Sequence, residues 1–247
     1  IRRQRQMCIR DCINTAAPYN SPAYLIDNIL ISGGITPTNH SFTGDPMQIG
    51  FFNAVNSNLG IDSGIVLSSG NVLDLIGPNS NGGTSTDFFL PGDPTLDAII
   101  APDPTNDAAV LEFDFIPTSD TISFKYVFGS EEYLEYVNFY NDAFGFFLSG
   151  PNPAGGNYVD QNLAIIPGTP NTPVTIDNVN NVVNSAYYID NGDGNTAPQN
   201  SDPTVIQFDG FTTPLTATAN VNCGDTYHIK IVVADAVVLY YDAVDDD

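Results

Sequence analysis

Apolar and polar residues alternate with period two in three stretches of the chain. Leu111, Phe113 and Phe115 alternate with Glu112 and Asp114. Ile122, Phe124, Tyr126 and Phe128 alternate with Ser123, Lys125 and Val127. Tyr227, Ile229, Ile231 and Val233 alternate with His228, Lys230 and Val232. Such alternation marks half-buried strands, because successive side chains point to opposite faces. Shorter apolar segments predict further strands at 49–55, 64–68, 143–149, 163–166, 174–179, 187–189, 205–208 and 215–221. One helix is predicted over 22–30. Ser21 suits its N-cap, Pro22 its first position, Leu25, Ile26, Ile29 and Leu30 its apolar face, and Gly33-Gly34 ends it. No second helix is predicted. Glycine-rich turns separate the strands, and four Asp-Pro steps (45–46, 93–94, 103–104, 202–203) punctuate the loops. The pattern predicts an all-β fold: an antiparallel two-sheet β-sandwich of jelly-roll or Greek-key type with one short N-terminal helix. Its expected core is Leu111, Phe113, Phe115, Ile122, Phe124, Tyr126, Phe128, Phe144, Phe146, Ile229, Ile231 and Val233. The segment from Asn71 to Thr105 is long for a loop, which points to a functional or a poorly ordered one.

Composition narrows the function. Six basic residues stand against 29 acidic ones. Four arginines lie within the first ten residues, and from Asp11 onward only Lys125 and Lys230 are basic. Such a body repels phosphate backbones and anionic lipid, so nucleic acid is not expected as a partner. No apolar run approaches the roughly 18 residues of a membrane helix, so membrane insertion is not expected. Residues 1–12 differ from the rest in charge and hold Cys8 and Cys12, and they are set apart as a tail foreign to the domain. Cys223 stands alone in the body, so no disulfide framework is read. A single β-sandwich domain is expected over 18–247.

Several segments together resemble a known family. They are Asn58–Gly70, Gly92–Asp97, Asp107–Phe115, Ile122–Tyr133 with its Ser-Glu-Glu-Tyr, Asn141–Gly150 with its Asn-Asp-Ala-Phe-Gly-Phe-Phe, Thr226–Lys230 and Ala234–Ala236. In this order and spacing the chain resembles the choice-of-anchor L domain. That resemblance implies a secreted module of a bacterial surface protein. It supplies no ligand and no catalytic residue. Family members continue past the Ala-Asp-Ala segment into an apolar strand, whereas this chain ends in Asp242-Ala-Val-Asp-Asp-Asp247, so the last strand is expected to be cut short.

The chemistry-bearing residues fall into a few constellations. Glu131 and Glu132 follow one strand, and Asn141 and Asp142 precede another after eight intervening residues. If those strands pair, four oxygen-bearing side chains meet. Ca²⁺ takes roughly 6–8 oxygens, and carboxylates crowded without a cation repel one another. The alternative is a solvated loop. In Asp190-Asn-Gly-Asp-Gly-Asn195, Asn191, Asp193 and Asn195 sit at positions 1, 3 and 5 of a calcium loop. Thr196 stands where an EF-hand needs glycine, so an EF-hand is rejected; a tight turn with Gly192 and Gly194 at positive φ is the other reading. Glu112 and Asp114 share a strand face about 6.7 Å apart, which suits either a glycosidase pair lacking its partner or a solvent-facing edge. Tyr133, Tyr136, Phe139 and Tyr140 suit stacking on sugar rings or strand-end packing. No nucleophile elbow, zinc-protease helix or phosphate loop occurs. No complete catalytic constellation is read, so an enzyme is not expected. The sequence thus predicts a secreted or cell-surface adhesion or binding module, stabilised by Ca²⁺, with a surface glycan or protein as partner. A glycan-acting hydrolase on the same scaffold is the alternative.

Overall fold

The computed structural model describes residues 12–31, 35–102 and 104–236. In chain order its elements are β1 (Cys12–Asn14), α1 (Pro22–Leu25), β2 (Ile35–Thr43), β3 (Ile49–Asn53), β4 (Ser63–Leu67), α2 (Pro94–Ile100), β5 (Thr105–Pro117) and β6 (Thr121–Tyr126). Then follow β7 (Gly129–Ser130), β8 (Ala143–Pro151), β9 (Asn157–Asn162), β10 (Tyr188–Asp190), β11 (Gly210–Thr212), β12 (Leu215–Asn220) and β13 (Tyr227–Ala236).

The largest sheet has five antiparallel strands in the order β2-β5-β13-β8-β9. Its inner face is built by the alternating residues. Ile229 lies opposite Phe113 and Leu148, and Ile231 lies opposite Leu111 and Phe146. These pack with Ile122 and Phe124 of β6, Ala217 and Ala219 of β12, Ile49 of β3, and Leu25 and Ile26. The elements facing the large sheet belong to separate small sheets: β1-β3-β4 and β12-β6, with β10-β11-β7 nearby as a third. Of the expected core, Tyr126, Phe144 and Val233 are only partly buried.

The outer face of the large sheet is divided. Over one half, Leu96 and Ile100 of α2 cover Ala108, Val110, Phe147, Val232 and Ala234. There both faces are buried, so Ile231 to Ala234 reads as a continuous apolar run. The other half carries Glu112, Asp114, His228 and Lys230, and alternation returns.

Several expectations change. The expected 22–30 helix is present as α1, capped by the Ser21 hydroxyl, continuing into a wider π turn over Ile26–Leu30. A second helix, α2, is present as well. Its start is the Asp93-Pro94 step: Asp93 is the N-cap and Pro94 occupies the first position. Asp45-Pro46 likewise opens the 3₁₀ turn Pro46–Gln48 with a capping box. These two steps mark helical starts rather than plain loops. The segments at 163–166, 174–179 and 205–208 are not strands. Their apolar residues are buried within irregular chain, where Phe128, Tyr133, Ile166, Val174, Ile176, Val179 and Leu215 form a separate cluster. β2 and β9 lie at the sheet edges and lack clean alternation; Pro37 is tolerated in β2 for that reason. The expected shortened strand at the C-terminus and most of the 1–12 tail lie outside the described residues; Cys12 itself pairs in β1 with Asn53.

Candidate functional site

At one end of the large sheet a cavity of about 380 Å³ opens between four chain segments. β4 ends in Ser68-Ser69-Gly70, and the turn that follows brings Asn71 and Asp74. Residues 82–86 cross above. β7 runs into Glu131 and Glu132. β13 closes the back with Val233, Ala234 and Asp235. Tyr136, Tyr140 and Asp142 complete the wall. The lining therefore holds the carboxylates Asp74, Glu131, Glu132, Asp142 and Asp235 and, among the described residues, no basic one.

Local hydrogen bonds fix these groups. The Ser130 hydroxyl donates to Asp142 Oδ2 at 2.7 Å and accepts from the Glu132 amide at 2.9 Å. One serine thus joins the two acidic motifs, although β6 and β8 do not pair. The Ser69 hydroxyl donates to the Asp235 carboxylate. The Thr86 hydroxyl donates to Asp74 Oδ2 at 2.6 Å. The amide of Thr84 donates to Glu131 Oε1 at 2.9 Å, which ties the long loop to the motif below it. Within the long 71–105 segment, Asn71, Asp74 and residues 82–86 therefore form one wall.

Two glycine turns hold that loop in place. Gly194, at φ 74°, lies so close to Gly82 that a Cβ would collide with the Gly82 amide nitrogen. A Cβ on Gly82 would in turn lie 2.6 Å from the Asp193 carbonyl oxygen.

Burial and crowding raise the acids. Desolvation, reinforced by Asp235, Glu131 and Glu135, pushes Glu132 up to about 7. Burial pushes Asp235 up to about 6, opposed by the Ser69 hydrogen bond. Glu131 is raised by burial, with the donors from Thr84 and Gln207 acting against it. Carboxyls perturbed in this way within one concavity are a common feature of functional sites.

The sequence-predicted residues are distributed as follows. Glu131, Glu132, Asp142, Tyr136 and Tyr140 meet at the cavity. Asn141 turns away, its Oδ1 accepting from the Asp177 amide at 3.2 Å. Tyr133 is 1% exposed and packs against Tyr188 at 4.9 Å, so it serves the core and not a ligand. Tyr136 and Tyr140 stand at the rim with ring centroids 5.1 Å apart. The two carboxylates of the Asp190–Asn195 loop accept from backbone amides of the same turn. Asp190 Oδ1 accepts from the Gly192 amide, and Asp193 Oδ1 accepts from the amides of Asn195 and Thr196. Asn191 is buried and donates to the carbonyls of Ile206 and Phe208. Gly192 and Gly194 do take positive φ. Among the described residues, no group of three or more His, Cys, Asp or Glu side chains is arranged to hold a metal ion.

Glu112 and Asp114 lie on β5, an interior strand, not on a sheet edge. His228 bridges them: Nδ1 lies 2.8 Å from Asp114 Oδ1 and Nε2 lies 3.4 Å from Glu112 Oε1. Asn39 donates to Asp114 Oδ2 at 2.6 Å, and that bond, before the influence of His228, holds the Asp114 carboxyl below its usual range.

The sequence pattern missed Asp74, Ser68, Ser69, the 84–86 segment and Asp235 as site residues. Asp235 carried a usable signal: it is the one charge in the otherwise apolar run from Ile231 to Ala236.

Fold and cavity together define a mostly β, antiparallel domain with an acidic, tyrosine-rimmed cavity at one end of its largest sheet. The chain belongs to the Choice-of-anchor L domain family, which it matches over residues 13–244. Membership places it among surface-associated bacterial modules. No curated protein and no solved structure matches it. Among the described residues no helix is long and apolar enough to cross a membrane.

Proposed function

We propose that this chain is a secreted or cell-surface adhesion module whose acidic cavity binds a polyhydroxylated ligand, a glycan. The observation that carries the reading is the composition of the cavity wall. Carboxylates at Asp74, Glu132, Asp142 and Asp235 accept hydrogen bonds from sugar hydroxyls, and Ser85 and Thr86 add hydroxyls. Tyr136 and Tyr140 offer ring faces at the rim, and Tyr136 is 43% exposed. Aromatic rings stack on the apolar faces of sugars and leave the polar edges to the wall. The segments that carry the family resemblance support the same place. Ser-Ser-Gly at 68–70, Glu-Glu-Tyr at 131–133, Asn-Asp at 141–142 and Ala-Asp-Ala at 234–236 all reach it. The large sheet and the smaller sheets facing it are read here as the two layers of a sandwich, with the cavity at one end.

One observation favours the hydrolase as a second reading. Glu132 is pushed up to about 7, and Ser130 joins it to Asp142 in the same wall. A raised acid and a second carboxyl in one concavity are the groups a glycosidase uses. A glycan array followed by calorimetry on the best ligand tests the first reading. Tyr136→Ala and Tyr140→Ala should each weaken binding about three- to tenfold, the value of one aromatic contact. Incubating the same ligand with the protein separates the two readings. Intact glycan supports the module. New reducing ends that vanish with Glu132→Gln support the hydrolase. An array with no bound glycan overturns both.

A further inference from the structure

Beneath the 82–86 loop lies a second polar cluster, which the glycan reading does not use. Asp209, just before β11, is completely buried. The Asn79 side-chain amide donates to its Oδ1 at 2.8 Å, while its Oδ2 is buried with no hydrogen-bond partner among the described residues. Glu131 repeats the imbalance. Its Oε1 accepts from the Thr84 amide at 2.9 Å and from Gln207 Nε2 at 3.3 Å, the Gly83 amide also faces the carboxylate, and Oε2 is buried with no hydrogen bond of normal geometry among the described residues. Gln207 ties the two sides together, donating to the Asn81 carbonyl at 2.6 Å and to Asn79 Oδ1 at 3.3 Å.

Gly82 shows where the orphan oxygen of Asp209 points. A Cβ on Gly82 would lie 3.7 Å from Asp209 Oδ2 and 2.6 Å from the carbonyl oxygen of Asp193. Oxygens of two loops therefore converge beside a residue with no side chain. Buried carboxylate oxygens without donors are strongly destabilising, and two neighbouring carboxylates repel. Among the described residues, no lysine or arginine lines the cavity above to relieve them.

We propose that Asp209 Oδ2 and Glu131 Oε2 hold a hard divalent cation, Ca²⁺ in an extracellular setting. The Asp193 carbonyl and water complete the shell. Every donor is an oxygen, which selects Ca²⁺ or Mg²⁺ over softer metals, and the flexible count of a mixed site suits Ca²⁺. The ion cross-links the segment after β7, the 191–194 turn and the start of β11, and Asn79 and Thr84 tie the 79–84 loop to its two carboxylates by hydrogen bonds. It thereby fixes one wall of the cavity. This site is distinct from the Glu132–Asp142 side, and from the Asp190–Asn195 loop it takes only the Asp193 backbone carbonyl, which also accepts from Asn195 Nδ2 at 3.3 Å. The rival is a proton shared between the two carboxyls, which needs no metal.

The test uses the full chain, stripped with EDTA and exchanged into metal-free buffer of fixed ionic strength. Tb³⁺ is the probe, excited through tyrosine, since the chain has 12 tyrosines and no tryptophan. Ca²⁺ should displace it. Asp209→Asn and Glu131→Gln should each weaken Tb³⁺ at least tenfold, while Glu132→Gln leaves it unchanged. A second readout guards against misfolding. Ca²⁺ in about hundredfold excess over Kd should raise Tm by about 5 °C or more beyond matched NaCl in the unmutated chain and in Glu132→Gln. It should not do so in Asp209→Asn, whose Tm in EDTA should equal or exceed that of the parent. No Tb³⁺ signal, or a Tm shift equal to that of matched NaCl, overturns the proposal in favour of the shared proton. A shift that survives Asp209→Asn but is lost in Glu132→Gln overturns it in favour of an ion in the cavity mouth. Neither result depends on whether a glycan binds.

Discussion

Asp235 sits near the end of β13 with its carboxylate against the Ser69 hydroxyl. Asp107 and Asp87 raise it further, and Glu132 feels it across the cavity. Burial therefore keeps it at about 6, above the 3.8 of a free aspartate. The native state binds the proton more tightly than the unfolded chain, so this group favours folding at low pH. Its contribution is complete below about pH 4 and is lost as pH rises to about 6. Asp235→Asn keeps an acceptor for Ser69 and removes the charge. It should raise the unfolding free energy by about 1–3 kcal/mol at pH 7.5 and change it little at pH 4. Urea denaturation of both proteins at the two pH values measures this; equal gains at both would show that the charge is not the cause. The raised acids of this cavity were not legible in the sequence. Ser69 and Asp235 are 166 residues apart, and no local pattern announces that a serine will meet that carboxylate.

Helix α2 shows what one element adds to the large sheet. Asp93 Oδ1 accepts from the amides of Thr95 and Leu96, and Oδ2 pairs with Lys230 Nζ at 2.5 Å. Lys230 also donates to the Thr95 hydroxyl at 3.0 Å. The pair is mostly buried, with side-chain exposures of 15% and 9%. Asp93→Ala removes a cap worth about 1 kcal/mol and strands a buried ammonium, so the loss should reach about 3–5 kcal/mol. Adding Lys230→Met should restore most of what the stranded charge costs, leaving roughly the loss of the cap. Urea denaturation of the single and double variants checks this; a double variant as weak as the single one would refute the account. The start of α2 was present in the sequence as Asp93-Pro94. It reads equally as a turn, because Pro94 and an Asp cap suit both, and only the Leu96 and Ile100 face packed on Val110 and Val232 selects the helix.

At the scale of the whole molecule, the cavity depends on loops docked on one another. Gly194 at φ 74° abuts Gly82, and Thr84 reaches Glu131. Gly194→Ala imposes both an unfavourable backbone and a collision, so it should destabilise by more than about 1 kcal/mol. Amide exchange of residues 79–86 should quicken while the strands of the large sheet stay protected. Unchanged exchange in that loop would mean that it does not lean on the 192–194 turn.

The sequence alone determined the strand stretches whose one face is open, because water on that face enforces the alternation seen in β6 and in parts of β5 and β13. It also determined the start of the first helix, the positive φ of Gly192 and Gly194, and the acidic, lysine-poor body. Tertiary structure decided three other things. It divided the strands outside the large sheet among separate small sheets, since period two records burial of a face but not the identity of the paired strand. It buried the 163–166, 174–179 and 205–208 segments as irregular chain, since apolar residues answer to burial whatever their backbone does. It also brought Ser69 to Asp235, Thr84 to Glu131 and Asn79 to Asp209. Contacts between such distant residues follow from the path of the folded chain, and no local spacing encodes that path.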